Sequence, residues 1–233
     1  MQLPFFYKEE LPDEGVIVLG EDTSKHVVQV LRMKIGERIQ LTDGKGKSIV
    51  AEITNDHKKA TEVKVVSKEF TEQSTKRNTI AISPIKNTSR FEWFLEKATE
   101  IGIAEIIPMI CERTEREHFR YDRMNNILIS AMLQSMQTWL PVLHQPTKFN
   151  EVIQQRKEKQ KFVAHCLEGE KKGLQNSRSD SNDPSIILIG PEGDFTEKEV
   201  ATAVDNQYIP VSLGNTRLRT ETAGLVSCVL LAQ

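Results

Sequence analysis

The sequence predicts two parts, a small β-rich domain followed by an α/β domain built on a mostly parallel sheet. Three observations carry this reading: strand-and-turn patterning confined to the first seventy residues, a polar break between Lys68 and Asn78, and strand–helix alternation beyond it. A chain of 233 residues accommodates both at the usual ~100–200 residues per domain. With 38% hydrophobic and 27% charged residues it is too apolar for wholesale disorder and shows no collagen-like or coiled-coil pattern.

Ser24 is the expected cap of a short helix carrying Val27, Val28, Val30 and Leu31, stopped by Gly36. Ile39 and Leu41 then alternate with polar neighbours, Asp43-Gly44-Lys45-Gly46 supplies turn residues, and Ile49, Ala51 and Ile53 resume the alternation, which predicts a hairpin. Val63 and Val65 add a strand, and the whole reads as a small antiparallel barrel or sandwich. The domain boundary is placed at residues 72/73, giving parts 1–72 and 73–233.

Thr79–Ser83 is β-like, and Phe91, Phe94, Leu95, Ala98 and Ile101 recur at helical spacing up to Gly102. Ala104–Ile110 is a second buried strand, Asp122–Thr138 a long amphipathic helix and Phe149–Glu158 another. Strands follow at Lys161–Cys166, Ser185–Ile189 and Tyr208–Leu213, with a helix at Glu197–Asn206 and a terminal helix starting at Thr220 or Thr222. The polar stretch from Gly173 to Asp183 reads as a loop.

Thirty-one Lys and Arg against 33 Asp and Glu give a formal charge of −2, so any nucleic-acid partner must be held by local patches. Three dispersed cysteines, Cys111, Cys166 and Cys228, suggest neither a disulfide framework nor a zinc site, and the five histidines, His118 among them, lack ligand spacing. No metal and no membrane partner are expected, the apolar run Ala223–Ala232 being about half the ~20 residues a span needs. A reducing, cytoplasmic setting is the expectation. There is no G-x-x-x-x-G-K-[ST], no G-x-G-x-x-G opening a first helix and no G-x-S-x-G, which argues against P-loop NTPases, Rossmann dinucleotide enzymes and serine-triad hydrolases.

What remains are two glycine-bearing turns directly after strands, Gly190-Pro191-Glu192-Gly193 and Leu213-Gly214 running into Leu218-Arg219-Thr220-Glu221-Thr222-Ala223. Turns at the carboxyl ends of parallel strands are where such sheets bind ligands, and glycine lets the backbone approach a flat ring closely.

These two turns resemble the carboxyl-terminal signature of RsmE-type 16S rRNA uridine-N3 methyltransferases of the SPOUT superfamily. His26-Val27-Val28-Gln29-Val30-Leu31-Arg32-Met33-Lys34-Ile35-Gly36 with Asp43-Gly44-Lys45-Gly46 resembles that family's amino-terminal domain. Glu96-Lys97-Ala98-Thr99-Glu100-Ile101-Gly102 leading to Glu112-Arg113-Thr114 is similar to its central segment. The resemblance implies a PUA-like RNA-binding β-barrel joined to an α/β SPOUT domain with a carboxyl-terminal trefoil knot. It further implies a homodimer that uses S-adenosylmethionine to methylate N3 of one uridine in 16S rRNA of the small ribosomal subunit. The alternatives are a SPOUT enzyme acting on another RNA position such as a ribose 2′-oxygen, and a non-catalytic RNA-binding assembly factor.

On that resemblance the cofactor lies against Leu188, Ile189, Gly190, Pro191, Glu192 and Gly193 on one turn and Leu213, Gly214, Leu218, Arg219 and Thr222 on the other, with Leu167 on a third loop. Arg219 and Glu221 are the catalytic candidates, one to stabilise a uridine anion and the other to take its proton. Arg32, Lys34, Arg38 and Lys45, with Lys47, form one candidate RNA-binding group; Arg113, Arg116, Arg120 and Arg123 form another. Six positions depart from the family pattern: Asp194 stands where a second glycine is usual, Asn215, Thr216 and Arg217 replace Pro-Arg-Ile, and Leu133 and Gln137 replace an acidic residue and an arginine.

Overall fold

The computed structural model describes residues 3–115, 119–179 and 182–233. Arg116 and His118 lie outside the described residues. The chain forms two compact units, Met1–Gln73 with Met132–Leu140, and Ser74–Ala131 with Pro141–Gln233.

The first unit contains β1 (Phe5–Tyr7), β2 (Val16–Val18), α1 (Glu21–Lys25), β3 (Arg38–Thr42), β4 (Lys47–Asn55) and β5 (Glu62–Phe70). They form a curled sheet of order β1-β3-β4-β5-β2. The expected hairpin is present, with Ile39 opposite Ala51 and Leu41 opposite Ile49. Period-2 alternation puts these side chains on one face, where they join Ile53, Val63 and Val27 in a sealed core. The sheet is not wholly antiparallel, because β1 pairs in parallel with β3; a three-residue strand is too short to show alternation. Ser24 does not cap the helix, which begins one turn earlier behind Gly20. Its hydroxyl is buried, donating to the Leu19 carbonyl and accepting from the Thr61 amide. The helix continues into a π-helical turn, His26–Val30, and Arg32 then takes a left-handed φ of 57°.

The second unit comprises β6 (Asn78–Ile82), α2 (Thr88–Ile101), β7 (Glu105–Ile110), α3 (Tyr121–Gln134), β8 (Val142–Leu143), β9 (Thr147–Lys148), α4 (Phe149–Gln155), β10 (Gln160–Ala164), β11 (Lys172–Gly173), α5 (Leu174–Ser177), β12 (Ser185–Ile189), α6 (Glu197–Asp205), β13 (Ile209–Ser212) and α7 (Thr220–Ala232), the last residues of α3 clustering with the first unit. Its sheet runs β11-β13-β10-β12-β6-β7-β8, with β9 also on β7, and every pairing among the described residues is parallel. Strands β6 and β12 are buried on both faces; β12 reads as an apolar run after Ser185, while β6 opens on the buried polar pair Asn78 and Thr79. A capping box, Thr196 with Glu199, starts α6, and Thr220 rather than Thr222 opens α7 behind Arg219. The helix expected over 122–138 ends at Gln134, where Met136 turns the chain at φ 57°.

The stretch from Gly173 to Asp183 is not all loop, since α5 begins it. One buried side chain, Leu174, anchors that helix, and a single apolar residue leaves no period to read.

At the amino ends of the strands, the Glu105 carboxylate meets Arg77, Arg156 and His144, each at 2.9 Å. Arg156 also donates to Glu158 and to the Thr79 hydroxyl. Hydrogen bonding from His144, with Arg156 alongside, holds the Glu105 carboxyl down at about 2 against the desolvation that opposes it.

Candidate active site

Three neighbouring strands, β13, β10 and β12, end on the same side of the sheet, and a cleft of about 820 Å³ opens outside their carboxyl ends. That volume suits a nucleoside-sized ligand.

One wall is the turn after β12. A Cβ on Gly190 would stand 3.1 Å from the Phe195 ring and 3.2 Å from the Phe195 amide, so any other residue would require the turn to give by a few tenths of an ångström. The Gly190 carbonyl accepts the Thr220 hydroxyl at 3.1 Å, which docks the start of α7 on the turn. The second wall follows β13, where Gly214 takes φ +140° and Ser212 bonds its backbone; Asn215, Thr216 and Arg217 lie exposed along it. The third wall follows β10 and presents His165, Cys166 and Lys171. Lys171 donates to the carbonyls of His165 and Leu167, fixing this loop on itself. Burial, and then the Lys171 charge, push the His165 pKa down, favouring the neutral ring.

Of the expected cofactor residues, Ile189, Gly190, Pro191, Glu192, Leu213, Gly214, Leu218 and Arg219 line the cleft. Leu188 does not: its side chain is in the core beneath the sheet, because alternate β12 residues face opposite ways. Gly193, Leu167 and Thr222 lie beside the cleft rather than in its lining. The Gly193 carbonyl is taken by Arg113 at 2.8 Å, and the Leu167 carbonyl by Lys171.

Arg219 and Glu221 both line the cleft. Arg219 is exposed at the cap of α7 and has no ion-pair partner among the described residues. Glu221 is 7% exposed, with Arg90 Nε 3.8 Å from its carboxylate. Arg90 is a cleft residue that sequence reasoning missed. No spacing connects positions 90 and 221, yet α2 follows β6, and in a parallel sheet the helix after a strand starts at the carboxyl edge.

The basic positions separate by occupation. Arg32 and Lys45 are exposed and unpaired among the described residues, and Lys34 is exposed with Asp56 at 3.9 Å. Arg38 is shared with Glu52 at 3.3 Å, and Lys47 is held by Asp13 and the Leu11 carbonyl, each at 2.6 Å. Arg113 belongs to the second unit and braces the Gly193 turn. Arg123 is paired with Glu92.

Among the described residues there is no group of three or more His, Cys, Asp and Glu side chains placed to hold a metal, and no helix long and apolar enough to cross a membrane. Burial pushes the thiols of Cys111 and Cys228 up, which makes them poor nucleophiles.

A parallel α/β sheet carrying a nucleoside-sized cleft at the carboxyl ends of its strands defines a ligand-binding α/β domain. Residues 50–232 match the model of the RNA methyltransferase domain, and residues 19–66 that of the RNA methyltransferase PUA domain. The chain belongs to this RNA methyltransferase family. Among solved structures it is 37% identical to a probable rRNA-methyltransferase from Porphyromonas gingivalis, with TM-score 0.89 over 97% of this chain and 96% of that one. It is 29% identical to ribosomal RNA small subunit methyltransferase E from Neisseria gonorrhoeae bound to S-adenosyl methionine, with TM-score 0.87 over 98% and 96%. Ribosomal RNA small subunit methyltransferase E of Rickettsia conorii is 26% identical over 95% of this chain and 91% of that one.

Proposed function

We propose that this protein transfers a methyl group from S-adenosylmethionine to N3 of a uridine in 16S rRNA of the small ribosomal subunit. The observation that carries the reading is a cleft walled by the Gly190 and Gly214 turns with Arg219 and Glu221 in its lining. The cleft fits the donor: close-approach glycine supplies bare backbone for adenine, and the carboxylates of Glu192 and Glu221 suit a ligand carrying sulfonium and ammonium charge.

Bound there, S-adenosylmethionine supplies an electrophilic methyl carbon. The chain's own work is alignment, exclusion of water and management of one proton. Uridine N3 carries a weakly acidic hydrogen that must leave before or during attack. Arg219, with no carboxylate to satisfy it, donates to a uracil carbonyl and stabilises charge there. Glu221 accepts the N3 proton, with the Arg90 guanidinium 3.8 Å from its carboxylate.

On this reading residues 1–72 are a PUA-like RNA-binding barrel and residues 73–233 the catalytic domain, working in the cytoplasm where the subunit is. Arg32, Lys34 and Lys45, exposed on the first unit, meet phosphates. The carboxyl-terminal segment is read as a trefoil knot, since α7 packs back on β6 and β12 after β13 has been added elsewhere in the sheet. Homodimerisation is supported by α7, apolar on both sides: one face packs inside, while Val229 at 42% exposure and Trp93 of α2, also 42%, remain for a partner copy.

The test is nucleoside mass spectrometry of small-subunit rRNA from cells with and without the protein. The expected product is 3-methyluridine, present only with the protein; a 2′-O-methylated nucleoside or no change contradicts the reading.

A further inference from the structure

The geometry points to Asp194 as a positioning residue that sets the width of the cofactor cleft by latching two of its walls; this rests on the proposed use of S-adenosylmethionine. Asp194 sits at φ 63°, in the left-handed region where a glycine would be unstrained. A side chain retained there needs a reason, and both carboxylate oxygens supply one. Oδ2 accepts the backbone amide of Cys166 at 2.7 Å, across 28 residues of sequence, and Oδ1 accepts the amide of Phe195 at 2.8 Å. The first bond reaches the loop after β10 and the second holds the turn after β12, so one carboxylate spans two neighbouring walls.

The fixed end of the latch is deep. The Phe195 ring is fully buried under Gly190, and the Asp194 amide donates to the Pro191 carbonyl at 2.9 Å, closing the turn. The far end has less support, because Cys166 is exposed and Lys171 ties the loop only to its own carbonyls. Hydrogen bonds to a carboxylate are stronger than neutral ones, so Asp194 makes a strong tie between the two walls. Pre-ordering the loop removes a cost that the cofactor would otherwise meet on binding. Arg219 and Glu221 lie on a different segment, so the latch governs affinity rather than the chemical step.

The experiment compares the full-length chain with Asp194→Gly and Asp194→Asn. It reads S-adenosylmethionine affinity by calorimetry, amide exchange at Cys166 in the free protein, melting temperature and single-turnover rate at saturating cofactor. Asp194→Gly relieves the backbone while losing both bonds. Its Kd is expected to rise about tenfold, with faster exchange at Cys166, a melting temperature no lower than wild type and a saturated rate within about twofold. Asn, keeping one acceptor, recovers part of the affinity. A merely structural role would move Kd and melting temperature together. Wild-type binding with Kd unchanged in Asp194→Gly overturns the latch alone, as does a Kd that rises only with loss of folded protein. A wild-type chain that fails to bind S-adenosylmethionine overturns the cofactor reading and the latch with it.

Discussion

At the amino ends of the parallel strands Glu105 draws in Arg77, Arg156 and His144, whereas at the carboxyl ends Arg217 and Arg219 stand without an ion-pair partner among the described residues. The same strands supply both ends. Charge is satisfied internally at one edge, and the left-handed Asp194 and the glycines Gly190 and Gly214 are gathered at the cleft on the other. The contrast teaches that stability and function are assigned to opposite edges of one sheet, so substitutions at the two edges should have separable effects.

The largest separation is expected from Arg219→Ala. Methylation in single turnover should fall about 10²–10³-fold, the usual cost of losing one charge-stabilising donor, with an unaltered melting temperature. The mirror case is Glu105→Ala, which leaves two arginines short of their carboxylate. Denaturant titration should show a loss of about 3 kcal/mol while calorimetry finds cofactor affinity unchanged. Gly224→Ala probes the core between the edges, since its new Cβ would lie 2.7 Å from both Ile82 Cδ1 and Phe94 Cε2. Overpacking of that kind should cost about 1–3 kcal/mol in the same titration.

Acid sharpens the comparison further. Because the folded Glu105 pKa, about 2, lies below its usual value of 4.5, its stabilisation is complete above 4.5 and is lost as pH falls from there toward 2. Melting temperature measured across that window should fall less steeply for Glu105→Gln than for wild type. The smallest effect is expected on the first unit, where Arg32→Ala with Lys45→Ala should weaken subunit binding several-fold and lower the salt slope by about two.

Legibility in the sequence follows the same division. Alternation gave the β3–β4 hairpin, and a strongly apolar run gave β12, because burial on one face or two leaves its mark in the residues. Gly190 and Gly214 were legible as cleft-lining residues through their position after strands. Arg90 was not, nor the two-walled role of Asp194, since both depend on chain segments meeting across 131 and 28 residues. The Leu188 assignment failed because a motif covers consecutive residues, whereas a strand sends alternate side chains to opposite faces. Neither β1 nor α5 was legible, each being too short to complete a period.

The most direct test is a structure of the protein with S-adenosylmethionine bound. The account predicts donor density between the Gly190–Asp194 turn and the Leu213–Leu218 segment, against the loop that follows β10. Density elsewhere, or none in that cleft at saturating donor, would contradict it.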